Sequence, residues 1–492
     1  MPIELSVADL PEIARTATVP SYARSDLKAG IVHFGVGNFH RAHQAVYLDA
    51  LFNLGQDRDW ALIGAGVRPA DVEMRAKLAS QDFLTTVVEQ EANLSQARVT
   101  GSMIDFLRVG DAEATIAQLA DPAIRIVSLT VTEGGYYIDP ASQTFDPTHP
   151  DIAADAANPR APKTAFGLIL AGLKRRRDNG VAPFTVMSCD NIPGNGHVTQ
   201  NAVVGLAELI DHELAGWVRT RVAFPNGMVD RITPATSQRE RDALAEQFGI
   251  VDQWPVFCEE FKQWVLEDHF PAGRPALEKV GVQFVADVAP FEFMKIRILN
   301  GGHATIAYPA GLLDIHFVHE AMQEPLIKAF LEKVERDEII PTVPPVPDID
   351  LGEYYQLIDR RFSNPKIGDT IARLCLDGSN RQPKFILPTA LDRVKAGQSV
   401  TGLALVSALW ARYCYGESDS GKVIPPNDPN WDRLTALAKQ AKADPKAWLS
   451  MTDIFGELST NPAYVAAFTR ALSSLWANGT RATLGAYLRD TL

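Results

Sequence analysis

The stretch Gly30-Ile31-Val32-His33-Phe34-Gly35-Val36-Gly37-Asn38-Phe39-His40-Arg41-Ala42-His43 decides the fold. Its apolar run into Gly35 predicts a strand buried on both faces, and Arg41–Leu54 predicts a helix behind it. Gly35 and Gly37 let the backbone turn tightly at that junction and approach a pyrophosphate at the helix N-terminus. Asn38 and Phe39 lie in the same turn and join the glycines as cofactor-binding candidates. A full fingerprint carries a third glycine, and here His40 stands in its place. Two glycines alone describe a plain structural turn equally well.

A second strand, Trp60–Val67, follows after one helix and completes the βαβ unit that the motif needs. Arg68-Pro69-Ala70-Asp71 comes next. Asp71 can accept from a ribose 2′-OH, which favours NAD, whereas Arg68 can stack on adenine or meet a 2′-phosphate. The acid lies further from the glycines than the usual spacing of about 20 residues. NADP therefore stays open, and Asp71 reads equally well as a helix N-terminal acid. Further apolar strands run through Ala123–Thr132 into Glu133-Gly134-Gly135-Tyr136, and through Phe184–Ser188 into Cys189-Asp190-Asn191. Between them the pattern predicts a Pro- and Asp-rich loop over 139–163 and a helix over Thr164–Asn179. Strands alternating with helices predict an α/β fold, a Rossmann-like, doubly wound, mostly parallel sheet. Ligands of such sheets gather beyond the strand carboxyl ends, where Glu133, Asp190 and Asn191 fall. Such residues are also ordinary turn formers.

A helix over 198–218 leads to Phe224-Pro225-Asn226-Gly227-Met228-Val229-Asp230-Arg231-Ile232-Thr233-Pro234, an acid and an arginine inside an apolar, Pro-bounded segment. Short strands, among them Val280–Phe284, are expected over 251–285. From Phe291 onward the chain reads helical, at 315–337, 352–375, 389–414, 431–445 and 463–489, with a Pro-rich loop at 340–350. The expected division is a dinucleotide-binding domain over 1–285 and a mainly helical substrate-binding domain over 286–492.

A chain of 492 residues exceeds one hydrophobic core. Hydrophobic content of 46% with 22% charged residues describes an ordinary globular protein. The net charge of −13 argues against nucleic acid or an anionic membrane as partner. The start lacks the layout of a signal peptide, no apolar run is long enough to span a bilayer, and the expected setting is the cytoplasm. Cys189, Cys258, Cys375 and Cys414 are far apart and show no metal-binding spacing, so no metal is expected.

The chemistry concentrates in Met294-Lys295-Ile296-Arg297-Ile298-Leu299-Asn300-Gly301-Gly302-His303. At about 100° per residue Asn300 lies roughly 140° around a helix from Lys295, with His303 between them at roughly 80°. An amine, an amide and an imidazole among aliphatics are costly to bury as plain core. They suit a dry site in which burial helps an amine shed its proton. A solvated lysine and a satisfied core histidine are the plain alternative. With a dinucleotide site, this set suits hydride transfer at a carbon bearing a hydroxyl. Lys295 takes the O–H proton, and Asn191 and Asn300 steady the oxygen without adding charge. His303, Asp230, Arg373 and Arg381 can hold further hydroxyls, although Arg373 and Arg381 also read as surface charge. None of the eleven tyrosines has a lysine four residues on, so the short-chain dehydrogenase signature is absent.

GVGNFHRAH at 35–43, VSLTVTEGGY at 127–136, FTVMSCDNIP at 184–193, FPNGMVDRITP at 224–234 and MKIRILNGGH at 294–303 together resemble the polyol-specific long-chain dehydrogenases/reductases, most of all the mannitol-oxidising members. The resemblance covers nearly the whole chain. It implies a metal-independent enzyme interconverting D-mannitol and D-fructose with NAD(H). By the same likeness, Lys295 is general base and acid, and Asn191 and Asn300 form the oxyanion hole. His303, Asp230, Arg373 and position 381 hold the sugar chain, and Glu292 lies on a proton path to Lys295. Gly35, Gly37 and Asp71 contact the dinucleotide. Two departures stand out: Arg381 where the family pattern has Lys, and Ala70 where it has a second acid. Dehydrogenases of D-arabinitol or D-sorbitol, and reductases of fructuronate or tagaturonate, are the alternatives within the family. The family includes monomers, so no oligomer is implied.

Overall fold

The computed structural model describes residues 2–139 and 144–492. It divides into two compact units, Met1–Ala289 and Pro290–Leu492.

The first unit is built on five parallel strands: β1 (Ala29–Phe34), β2 (Ala61–Ala65), β3 (Met103–Phe106), β4 (Ile126–Leu129) and β5 (Thr185–Ser188). Their order in the sheet is β3-β2-β1-β4-β5, the doubly wound arrangement that the sequence predicts. Winding reverses between β1 and β4, so the loops leaving these two strands flank the point where such sheets bind ligands. Val32, Phe34, Val127, Leu129 and Val186 on these strands are almost wholly buried and pack with the helix Ala165–Asp178.

The predicted helix Arg41–Leu54 is two helices, α1 (Asn38–Ala42) and α2 (Gln44–Asn53), broken at His43 with φ −121° and ψ −88°. The cause is tertiary. The Ala42 carbonyl that would continue the helix accepts instead from Arg231 Nη1 at 2.5 Å, and His43 Nε2 meets the Gln263 carbonyl at 2.9 Å. Arg231 is therefore a structural bolt, and its Nη2 also pairs with Glu89 at 2.6 Å. The predicted helix 198–218 is likewise two, Asn195–Glu208 and His212–Arg221, with Asp211 capping the second. The predicted loop 139–163 contains the helix Pro150–Ala157; of that loop, 140–143 lie outside the described residues.

In the second unit the buried helix Thr401–Tyr413 packs on the long C-terminal helix Pro462–Leu488. Trp410 and Trp448 meet edge to face, 4.8 Å between ring centres. The predicted run 463–489 is kinked at Gly479 (φ 78°), where Asp419 accepts from the Thr480 N–H at 2.8 Å and starts a fresh turn. The run 389–414 is divided by Gly397 (φ 66°) into Leu387–Lys395 and Thr401–Tyr413. The run 352–375 is divided at Pro365 into Leu351–Phe362 and Ile371–Cys375. In each case a glycine taking positive φ, or a proline lacking its N–H, ends a continuous amphipathic pattern.

Glu335 in this unit is 0% exposed, and neither carboxyl oxygen has a hydrogen-bond partner among the described residues. Burial holds its carboxyl well above the usual carboxylate range, favouring the protonated form in the fold. In the unfolded chain it ionises above about pH 4.3. The ionisation-linked part of its penalty is thus absent at low pH and grows as pH rises toward the folded value. Glu335→Met, of similar volume, is expected to stabilise the protein at neutral pH by about 1–3 kcal/mol. Melting followed by calorimetry at pH 4 and pH 8 checks this: the gain should be larger at pH 8.

Candidate active site

The glycine turn follows directly from β1. Gly35 has φ +90°, and a Cβ there would lie 2.1 Å from the Thr130 carbonyl, so only glycine lets the chain pass the loop after β4. At Gly37 the nearest atom to an added Cβ is 3.9 Å away, leaving open space over the turn. A backbone this bare at the switch point fits a dinucleotide's pyrophosphate. Helix α1, with five residues, is too short to act as an anion-binding helix. The side chains of the turn are committed elsewhere. Asn38 Nδ2 donates to the Pro234 carbonyl and Thr236 Oγ1, both at 3.0 Å, and Phe39 stacks on His43 with ring centres 4.8 Å apart.

Asp71 Oδ2 accepts from the N–H groups of Val67 at 2.9 Å and Arg68 at 2.8 Å. It therefore acts as the helix N-terminal acid of Pro69–Ala79, closing the loop beyond β2. Arg68 is exposed and reaches the Val131 carbonyl at 3.5 Å. The loop after β4 is shaped by Asp190, which is buried. Its Oδ2 accepts from the Val131 N–H and the Tyr136 hydroxyl, and its Oδ1 from the Thr132 N–H. Thr132 is held at φ 64° and ψ 168°, a region that costs a β-branched residue about 1–3 kcal/mol. Glu133 follows, exposed, in a single 3₁₀ turn. Asn191 lies exposed just past β5, and Asp230, 6% exposed, ends the strand Gly227–Asp230. Asp190 thus supports the loop, a role that its position past a strand end does not reveal.

In the second unit Lys295–Asn300 is a π-helical segment between the helices Ala289–Met294 and Gly301–Leu312. The wider turn replaces the 3.6-residue spacing that the sequence argument assumed. π-Segments cost hydrogen-bond geometry and collect at functional sites. Lys295 is 6% exposed, Asn300 closes the segment, and His303 stands in the first turn of the next helix. Arg297 anchors another face: it pairs with Asp392, donates to Thr342 Oγ1 at 2.6 Å and lies over the Phe293 ring. Glu292 precedes Lys295 by three residues.

His303 stacks on Phe362, ring centres 4.1 Å apart. Burial, with Arg373, Arg361 and Arg381 nearby and only Asp369 opposing, pushes its pKa down to about 3. The imidazole is therefore neutral at any physiological pH and can donate or accept, but carries no charge. Arg373 is clamped by Asp369 one turn back, Nε to Oδ1 at 2.5 Å. Arg381 Nη1 donates to the Leu374 carbonyl at 2.9 Å. The second unit thus gathers His303, Arg373 and Arg381. Phe362, Arg361 and Asp369 are neighbours that the sequence argument missed. Of these only Asp369 carried a signal, an acid four residues before Arg373. Among the described residues no three His, Cys, Asp or Glu side chains are placed to hold a metal ion, and all four cysteines are buried thiols.

Residues 29–279 match the model of the mannitol dehydrogenase Rossmann domain, and 287–476 that of the mannitol dehydrogenase C-terminal domain. The chain belongs to the mannitol dehydrogenase family. Membership makes it an oxidoreductase with a Rossmann domain and a helical C-terminal domain. It is 62% identical over 477 residues to a mannitol 2-dehydrogenase of Cereibacter sphaeroides, covering 97% of this chain and 100% of that one. The Pseudomonas fluorescens mannitol 2-dehydrogenase, solved as a ternary complex with NAD and D-mannitol, superposes with TM-score 0.87 at 45% identity, over 99% of this chain and 100% of that one. A D-sorbitol dehydrogenase in substrate-free form superposes with TM-score 0.92 at 34% identity, over 98% and 100%. Among the described residues no helix is long and apolar enough to cross a membrane.

Proposed function

We propose that this protein interconverts D-mannitol and D-fructose with NAD(H), in the cytoplasm and without a metal. The observation carrying this reading is a buried lysine on a π-helical segment that also bears Asn300 and leads into His303, in a chain of this family. When bound, the nicotinamide takes or supplies the hydride. Lys295 takes the proton of the C2 hydroxyl in oxidation and returns it in reduction, and Glu292 passes it toward solvent. Asn191 and Asn300 donate amide N–H groups to the oxygen as charge builds on it. Neutral His303, with Arg373, Arg381 and Asp230, binds the remaining hydroxyls. The glycine turn, with Arg68, Asp71 and Glu133 beyond neighbouring strand ends, takes the dinucleotide. D-sorbitol oxidation is the second reading, supported by the backbone match to a D-sorbitol dehydrogenase.

A panel of D-mannitol, D-sorbitol, D-arabinitol, D-fructose and D-fructuronate, assayed with NAD(H) and NADP(H) in EDTA, decides. The expected result is the highest kcat/KM for mannitol and fructose with NAD(H), unaltered by the chelator. Faster reduction of fructuronate than of fructose, or activity lost to EDTA, overturns the reading.

A further inference from the structure

A parallel strand buried on both faces ordinarily carries no histidine, yet His33 lies on β1, 0% exposed. Its ring stacks face to face on that of His40, ring centres 3.4 Å apart. Burial pushes the His33 pKa down to about 3, so the ring is neutral and has one donor and one acceptor nitrogen. Nδ1 faces Ser128 Oγ on β4 at 2.8 Å. Nε2 faces Thr130 Oγ1 at 2.9 Å and the Gly35 carbonyl at 3.3 Å.

Hydrogen-bond counting fixes the tautomer. Thr130 has one hydroxyl proton and gives it to the Gly35 carbonyl at 2.6 Å, so it can only accept from His33. Nε2 therefore carries the hydrogen and Nδ1 accepts from Ser128. Ser128 Oγ then takes its own donor from the Gln44 amide, 3.1 Å away, with that amide turned to present nitrogen. The result is a one-way chain from Gln44 on α2 through Ser128, His33 and Thr130 to the Gly35 oxygen. The Gly37 N–H reaches the same oxygen at 2.7 Å. Two donors, the Thr130 hydroxyl and the Gly37 N–H, thus converge on one carbonyl of the glycine turn, in buried surroundings where chained hydrogen bonds reinforce one another. His40 occupies the fingerprint's third-glycine position and packs α1 on β1 through the ring stack rather than by close backbone approach.

We propose that His33 is a positioning residue for the dinucleotide: acting through Thr130 it fixes the Gly35 carbonyl, and its ring supports His40 where the fingerprint has glycine. The inference rests on the glycine turn being the NAD(H) site. The test is NADH affinity of the whole protein, measured by fluorescence titration, for Thr130→Val, Thr130→Ser and His33→Phe. Thr130→Val keeps the shape and removes the last link. It is expected to weaken NADH binding about tenfold, the loss of one buried hydrogen bond. Thr130→Ser keeps the hydroxyl and should stay within about twofold of wild type. His33→Phe keeps the stack without donors and should resemble Thr130→Val. The fructose KM at saturating NADH should stay within about twofold throughout. Wild-type NADH affinity in both Thr130→Val and His33→Phe overturns the proposal, as does a Thr130→Ser variant as weak as Thr130→Val. A wild-type protein that binds no NADH removes the dinucleotide reading as well.

Discussion

Lys295→Ala is expected to lower kcat for fructose reduction by about 10³-fold while leaving NADH affinity within about twofold. The size follows from general acid–base catalysis, which supplies about 10²–10⁴-fold when the transferring group is held in place. A loss of 10³ corresponds to about 4 kcal/mol of transition-state stabilisation. The selectivity follows from the chain's division: Lys295 belongs to the C-terminal unit, whereas the glycine turn belongs to the Rossmann unit. Lys295→Arg should fail to restore turnover, because a guanidinium does not give up its proton in a protein. Single-turnover mixing with NADH absorbance as the signal separates the chemical step from release. Turnover near the wild-type rate at neutral pH would remove Lys295 as the proton-transfer group.

The second large effect belongs to the two asparagines. Asn300→Ala and Asn191→Ala are each expected to cost about 10²-fold in kcat, within the range for one donor lost from an oxyanion hole. KM for fructose should move far less, because in the proposed mechanism the charge that these amides meet develops mainly in the transition state. Asn300→Asp should be worse than alanine, since a carboxylate puts a negative charge beside a developing oxyanion. Steady-state kinetics of the three variants distinguish this from ground-state binding: a raised KM with kcat unchanged would make the asparagines substrate holders only.

Neutral His303 has a related consequence. Its titration falls near pH 3, so it contributes no pH dependence to activity in the neutral range. Any ionisation seen there belongs to another group.

Four of the sheet's five strands were legible because their cause is local; the edge strand Met103–Phe106 was not read. Four short apolar runs ending in glycine or polar turns, with helices between them, can bury their faces only as parallel strands covered on both sides. The Lys295–His303 cluster was legible for a similar reason, since an amine, an amide and an imidazole on ten residues conflict with plain burial. The breaks were not legible. Helix 41–54 ends at His43 because Arg231, about 190 positions along the chain, takes the Ala42 carbonyl, and no local pattern records that. Asp71 and Asp190 looked like ligand-facing acids. Asp71 Oδ2 and both Asp190 oxygens also brace loop N–H groups, because backbone groups near a strand end must be paired whether or not a ligand is bound.

By itself, then, the sequence determined the fold class and the family, since these follow from hydrophobic periodicity and short contiguous motifs. Only the tertiary structure decided the π-helical form of 295–300, the neutrality of His303 among three arginines, and the hydrogen-bond chain from Gln44 to Gly35. Each of these depends on groups far apart in the chain being desolvated together, and desolvation is a property of the packed molecule rather than of any segment.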